Sequence, residues 1–194
     1  MKLPEIVGVA GTNAAGKDTL GELREKLQHA KFVSLSDILR RELDKRGLPH
    51  ERENLRAVSL EWRSNQGPGV MSQKTIALYE AEKAEKGYHG LSITSIRTPE
   101  EAKTIQYAGG VIIWIDADRY IRYERTQKRA QGRPEDQKTF EQFVAEEDAE
   151  MTPSVEGGGL NMGGVRDVAD ITVINDFDSA EAYTEYLKKE FEIS

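Results

Sequence analysis

Ile6-Val7-Gly8-Val9-Ala10-Gly11-Thr12-Asn13-Ala14-Ala15-Gly16-Lys17-Asp18-Thr19 is the stretch on which the reading of this chain turns. Ile6–Ala10 is a short apolar run of the kind that forms a strand buried on both faces. Gly11–Thr19 then fits G-x-x-x-x-G-K, with Asp18 where Ser or Thr is usual. Glycines at these points let the backbone curl so that its N–H groups face inward. The lysine reaches bound phosphates, and the helix that follows presents its positive end to them. Strand, glycine-rich turn and helix occur in the order a phosphate cradle needs. Gly11, Thr12, Asn13, Ala14, Ala15, Gly16, Lys17, Asp18 and Thr19 are therefore the candidate nucleotide-binding residues, with ATP as the ligand. Asp18 and Thr19 are the candidate holders of Mg2+; Asp18 is equally readable as an acid favoured by the helix dipole.

Outward from this loop, strands alternate with helices. A helix is predicted over 17–28 and a strand over 31–35. Ser36 then caps a helix through Ile38, Leu39 and Leu43, which Gly47 and Pro49 stop. Leu55, Val58 and Trp62 have helical spacing, and a helix is predicted over 70–86. Strands follow over 91–95, 111–115 and 171–174, with helices over 98–107, 119–130, 139–150 and 179–190. The segment 151–164, rich in Gly and Pro, reads as a loop. This alternation implies an α/β fold with a parallel, doubly wound, five-stranded sheet. The chain reads as one domain over 1–194. A helical acceptor-binding insert spans about 36–90, and a lid spans about 130–168.

Composition narrows the function. The chain has 194 residues, 38% apolar and 31% charged, with a net charge of −7. An acidic chain does not carry the basic surface of a general nucleic-acid binder. The sequence has no cysteine and three scattered histidines, which excludes disulfides and thiolate metal sites and argues against a histidine metal cluster. No apolar run approaches the roughly 20 residues of a membrane span, and the first residues do not read as a signal peptide. A cytoplasmic protein, monomeric or homodimeric, with a small-molecule partner is expected.

Several segments resemble known small-molecule kinases. Gly16-Lys17-Asp18-Thr19 is similar to the loop end of phage-type deoxynucleoside monophosphate kinases. Ser34-Leu35-Ser36-Asp37-Ile38-Leu39-Arg40 resembles the segment after the second strand of adenylate and dephospho-CoA kinases, where an acid precedes an arginine that meets the acceptor. Arg122–Arg129 is similar to the dephospho-CoA kinase lid helix, and Ala169–Asp176 to that family's closing strand. The resemblance implies a three-layer P-loop NTPase fold and phosphoryl transfer from ATP to a small nucleotide-like acceptor. That acceptor is a nucleoside or deoxynucleoside monophosphate, or the ribose hydroxyl of dephospho-CoA. It also implies that Asn175 borders the adenine.

The chemistry suggests further roles. Asp37 follows a parallel strand on the edge where such sheets bind ligands, placed to orient or deprotonate an acceptor. Arg40 shares its helical face. Arg122, Arg125 and Arg129 fall at i, i+3 and i+7, a row suited to the charge on a transferring phosphoryl group; Arg125 and Arg129 are the catalytic candidates, and Arg133 lies just beyond. Arg97 follows the third strand and is a candidate acceptor ligand. That strand ends in Thr94 and Ser95, where P-loop enzymes usually place an acid. The gap leaves open a regulator that binds nucleotide without turning it over. Asp116 and Asp118 are acids on the same edge, also readable as turn acids. Trp62 and Tyr79 are readable as base-stacking or as core.

Overall fold

β1 (Ile6–Gly11) is buried at all six positions. It is the middle strand of a five-stranded sheet of order β2-β3-β1-β4-β5. Here β2 is Ala30–Ser34, β3 Gly90–Thr94, β4 Val111–Asp116 and β5 Ile171–Ile174, and every pairing is parallel. The structure is a computed structural model and describes residues 1–128, 138–153 and 159–194.

Because side chains alternate across a strand, β1 and β4 feed two cores. Ile6, Ala10, Ile112 and Trp114 pack on one face against α2 (Leu35–Arg46), α4 (Val70–Lys86), α5 (Pro99–Tyr107) and α8 (Met162–Asp167). Val7, Val9, Ile113 and Ile115 pack on the other against α1 (Lys17–Gln28) and α9 (Ala180–Glu190). The remaining helices are α3 (Arg52–Gln66), α6 (Arg119–Lys128) and α7 (Phe140–Met151). Helices α2, α3 and α4 all stand between β2 and β3, the stretch read as an insert. No described helix is long and apolar enough to cross a membrane.

The amino edge of the sheet is pinned by a buried cation. Arg24, 3% exposed, donates through Nη1 to Leu91 O and Ser92 Oγ and through Nη2 to Pro4 O and Glu5 O. Its Nε donates to Gln28 Oε1. Burial lowers its pKa to about 10, so it stays charged at neutral pH. One side chain thereby ties α1 to the starts of β1 and β3.

All five predicted strands are present, with corrections at the boundaries. β2 ends at Ser34, and Leu35 opens α2 rather than closing the strand. The reason is packing: Leu35 is 1% exposed and belongs to the core beneath that helix. Ser34, not Ser36, is the N-cap, and it makes no side-chain cap bond; its hydroxyl instead meets those of Ser36 and Ser95 at 2.8 and 2.9 Å. Inside the segment read as a loop, Asn161 caps α8 through a bond from Gly164 N–H. Gly163 and Gly164 disfavour a helix locally. Here they allow close approach: a Cβ would fall 2.6 Å from Met151 O at Gly163 and 2.6 Å from Pro99 Cγ at Gly164. The helix predicted from Thr139 begins as expected, with Thr139 and Gln142 forming a capping box.

Candidate functional site

The loop between β1 and α1 is shaped by its glycines. A Cβ at Gly11 would lie 2.0 Å from Ile115 O, and one at Gly16 2.6 Å from Asn175 Nδ2. Gly16 also has φ +86°, the left-handed region that glycine enters without steric penalty. It is the N-cap of α1 and, lacking a side chain, makes no cap bond. The first-turn N–H groups that every helix leaves without intrahelical partners thus stand at a turn with Lys17 in it. Asp18 is exposed and Thr19 half-buried in that turn.

The loop is braced on both sides. Thr12 Oγ1 donates to Asp116 Oδ1 at 2.7 Å, and Asp116 also accepts from Ala117 N–H. Asp116, at the end of β4, is thus an acid hydrogen-bonded to the cradle. Asp118 caps α6, accepting from the N–H groups of Tyr120 and Ile121. On the far side Asn175, 4% exposed, donates from Nδ2 to Ala15 O at 2.8 Å. Its side chain lies behind the loop and fixes the curve that Gly16 permits. Buried alongside are Arg125 Nη1, Asn175 Oδ1 and Tyr183 Oη, which have no hydrogen-bond partner among the described residues; burial raises the Tyr183 pKa.

The basic face of α6 divides by position. Arg122, 2% exposed, donates to Ala117 O and, at 3.4 Å, to Asn13 O of the loop. It also pairs with Glu147 of α7 through both terminal nitrogens and with Asp116 Oδ1, 3.5 Å from its Nε. Arg125 donates to the backbone oxygens of Asn175 and Phe177, holding the turn after β5. Arg129 and Arg133 lie outside the described residues.

One cavity of about 370 Å³ joins the cradle to the insert, within the ~300–1,000 Å³ range of small-molecule sites. Gly11, Thr12, Asn13 and Lys17 line one end. Ser36, Leu39 and Arg40 of α2 line it, as do Leu55, Arg56, Ser59 and Arg63 of α3 and Ser95 and Arg97 after β3. Phe143, Glu146, Glu147 and Glu150 of α7 complete the wall. Two arginines on this wall are paired with acids from other elements. Arg97 Nη1 lies 2.6 Å from Glu150, and Arg63 Nη2 2.8 Å from Glu101 Oε1. Ser95 has φ +63°, uncommon for a residue with a Cβ. Its hydroxyl belongs to the serine cluster with Ser34 and Ser36.

Of the sequence candidates, Gly11, Thr12, Asn13, Lys17, Arg40 and Arg97 line the cavity together. Asp37 is exposed and pairs with Arg40 at 2.6 Å, outside the cavity wall. Tyr79 is fully buried and donates to Glu5; Trp62 packs against the same core. Sequence reasoning passed over Arg56 and Arg63, while the acidic helix near Glu146, readable as neutralising the α6 arginines, does supply Glu147 to Arg122. Arg56, Ser59 and Arg63 stand at i, i+3 and i+7, a polar stripe beside the apolar one of Leu55, Val58 and Trp62, and that spacing was the available signal.

No model of a known protein family matches the chain. Solved structures with the same architecture include TT1252 from Thermus thermophilus, with a TM-score of 0.59 and 16% identity over the whole of both chains. A shikimate kinase from Bacteroides thetaiotaomicron has a TM-score of 0.53 and 15% identity, covering 97% of this chain and 98% of that one. At such identities the likeness is one of fold, and the fold is that of the P-loop kinases. Sequence relatives are closer. A UPF0200 protein from Pyrococcus abyssi is 30% identical over 178 residues, covering 88% of this chain and 87% of the relative. Another from Thermococcus kodakarensis is 30% identical over 188 residues, covering 95% of each. On that likeness along nearly its full length, this chain belongs to the UPF0200 family.

Proposed function

We propose that the protein transfers the γ-phosphate of ATP, held at Gly11–Thr19, to a small nucleotide-like acceptor in the adjoining cavity. The preferred acceptor is a nucleoside or deoxynucleoside monophosphate. The carrying observation is that Lys17 shares one cavity with Arg40, Arg56, Arg63 and Arg97. Phosphoryl transfer is mainly positioning and charge neutralisation, and a cation at each end of a small-molecule cavity suits two anions brought together. Apolar walls from Leu39, Leu55 and Met71 suit a base or ring.

Mg2+ accompanies ATP in this reading. Hard divalent cations take oxygen donors. The Asp18 carboxylate and Thr19 hydroxyl, in the first turn of α1 beside Lys17, are chemically fit to hold it. An ion held there would supply positive charge against the phosphates of ATP. Asn175 supports the cradle from behind.

The alternative acceptor, a ribose hydroxyl as in dephospho-CoA, needs a base. Asp37 is tied to Arg40 away from the cavity wall, which favours the phosphate acceptor. The test is ADP formation from ATP and Mg2+ with nucleoside monophosphates, deoxynucleoside monophosphates and dephospho-CoA, and Lys17→Ala as blank. A Lys17-dependent signal with a monophosphate supports the reading. A signal with dephospho-CoA alone, abolished by Asp37→Asn, transfers it to the hydroxyl class. ATP binding with no acceptor-stimulated ADP leaves a nucleotide-binding regulator.

A further inference from the structure

We propose that Arg56, Arg63 and Arg97 form the seat of the acceptor's phosphate, and that Glu150 of α7 holds that seat as an internal competitor. The proposal rests on the kinase reading above and deepens it.

Three observations converge. Arg56 and Arg63 are two helical turns apart on α3, with Ser59 between them, and all three line the cavity. Glu101 then joins this helix to the end of β3. Its Oε1 pairs with Arg63 at 2.8 Å and its Oε2 accepts the Arg97 N–H at 2.9 Å. Finally, the Arg97 side chain meets Glu150 at 2.6 Å, across 53 residues of sequence. Arg56 has no carboxylate partner among the described residues.

The two carboxylates are not equivalent. Glu101 is fully buried and locked by a backbone donor as well as by Arg63, so removing it would leave a buried cation without its partner. Glu150 is 22% exposed and approaches from a separate helix that also lines the cavity. Another anion at Arg97 can replace it. The charges agree with this division. Three guanidinium groups less Glu101 leave two positive charges, which match a phosphate monoester of about −1.5 to −2. With Glu150 seated, one positive charge remains. A carboxylate is thus the protein's own stand-in for the acceptor's phosphate, and binding the acceptor requires its displacement.

The test uses inorganic phosphate as probe, titrated calorimetrically at low ionic strength into Lys17→Ala protein, where the ATP cradle is disabled. Glu150→Gln, nearly isosteric, should tighten phosphate binding by about 1.5- to fivefold, the range of a partly exposed ion pair converted to affinity. Arg97→Gln and Arg56→Gln should each weaken it by a similar factor. Unchanged or weaker phosphate binding in Glu150→Gln overturns the proposal. So does the absence of phosphate binding in both the Lys17→Ala parent and its Glu150→Gln derivative, or a joint loss of melting temperature and affinity. Tripolyphosphate, titrated separately, reports the cradle. If Lys17→Ala leaves its affinity unchanged, the kinase reading fails on its own, whatever Glu150→Gln does.

Discussion

The two edges of the sheet both bury arginines, and they satisfy them differently. At the amino edge, Arg24 bonds to the backbone oxygens of Pro4, Glu5 and Leu91, the Ser92 hydroxyl and the Gln28 side chain, all neutral. At the carboxyl edge, Arg63 and Arg122, with the partly exposed Arg97, each meet a carboxylate, from Glu101, Glu147 and Glu150. The backbone oxygens around Arg24 lie in β3 and just ahead of β1 and cannot leave without unfolding. A partly exposed carboxylate on a neighbouring helix, as Glu150 is, can give way to another anion, whereas Glu101 stays locked in place. The first arrangement holds a fold together. The second keeps positive charge in reserve where open parallel sheets bind ligands.

The sharpest break in this comparison comes from one cation at each edge. Lys17→Ala should lower turnover by about 10²–10³-fold, the scale for losing one group that stabilises developing charge, with little change in the thermal midpoint. Arg24→Met should do the reverse. It strands several oxygens at once, so a loss of about 3 kcal/mol is expected, or roughly 6–12 °C in midpoint for a chain of this size. Activity per folded molecule should be preserved. Thermal melts and single-acceptor kinetics on both variants measure this. A catalytic defect in folded Arg24→Met would erase the distinction between the edges.

Glu147→Ala tests a point between these extremes. Arg122 is 2% exposed and also touches Asn13 O of the cradle, so removing Glu147 leaves a nearly buried cation with only the longer Asp116 contact of 3.5 Å. Breaking such a pair destabilises by about 3 kcal/mol, and here ATP affinity should fall as well. Glu147→Ala that loses stability but keeps ATP affinity would move Arg122 into the structural group with Arg24.

The same comparison explains what the sequence made legible. Gly11, Gly16 and Lys17 are contiguous and their requirements local, so the cradle can be read from nine residues. The strands are short apolar runs and were found within a residue or two. Arginine pairing is another matter. Arg122 and Glu147 are 25 residues apart and Arg97 and Glu150 53, so no local pattern joins them. The row Arg122, Arg125 identified a helical face correctly, but not what that face meets: a carboxylate for one, the turn after β5 for the other. α8 was hidden because its glycines serve packing against Met151 and Pro99, a tertiary demand that overrides helix propensity.

The smallest effect belongs to the amino edge and sharpens the comparison through pH. The Tyr79 hydroxyl donates to Glu5 Oε1 at 2.7 Å, and Lys83 lies 3.2 Å from the same oxygen. The Tyr79 bond first, then Lys83, holds the Glu5 carboxyl below its ordinary value. A carboxylate whose pKa is depressed on folding adds stability that is present above the unfolded pKa and is lost as pH falls through the folded one. The Glu5 side chain is half exposed, so the contribution should be under about 1 kcal/mol. Glu5→Gln should therefore melt slightly below the parent at pH 7, and the gap should close below about pH 4, where the unfolded carboxyl is itself protonated. Because Glu5 stands apart from the cavity, turnover should follow the parent across the same range. A gap in melting temperature that persists undiminished at pH 3 would mean that Glu5 acts through packing rather than charge.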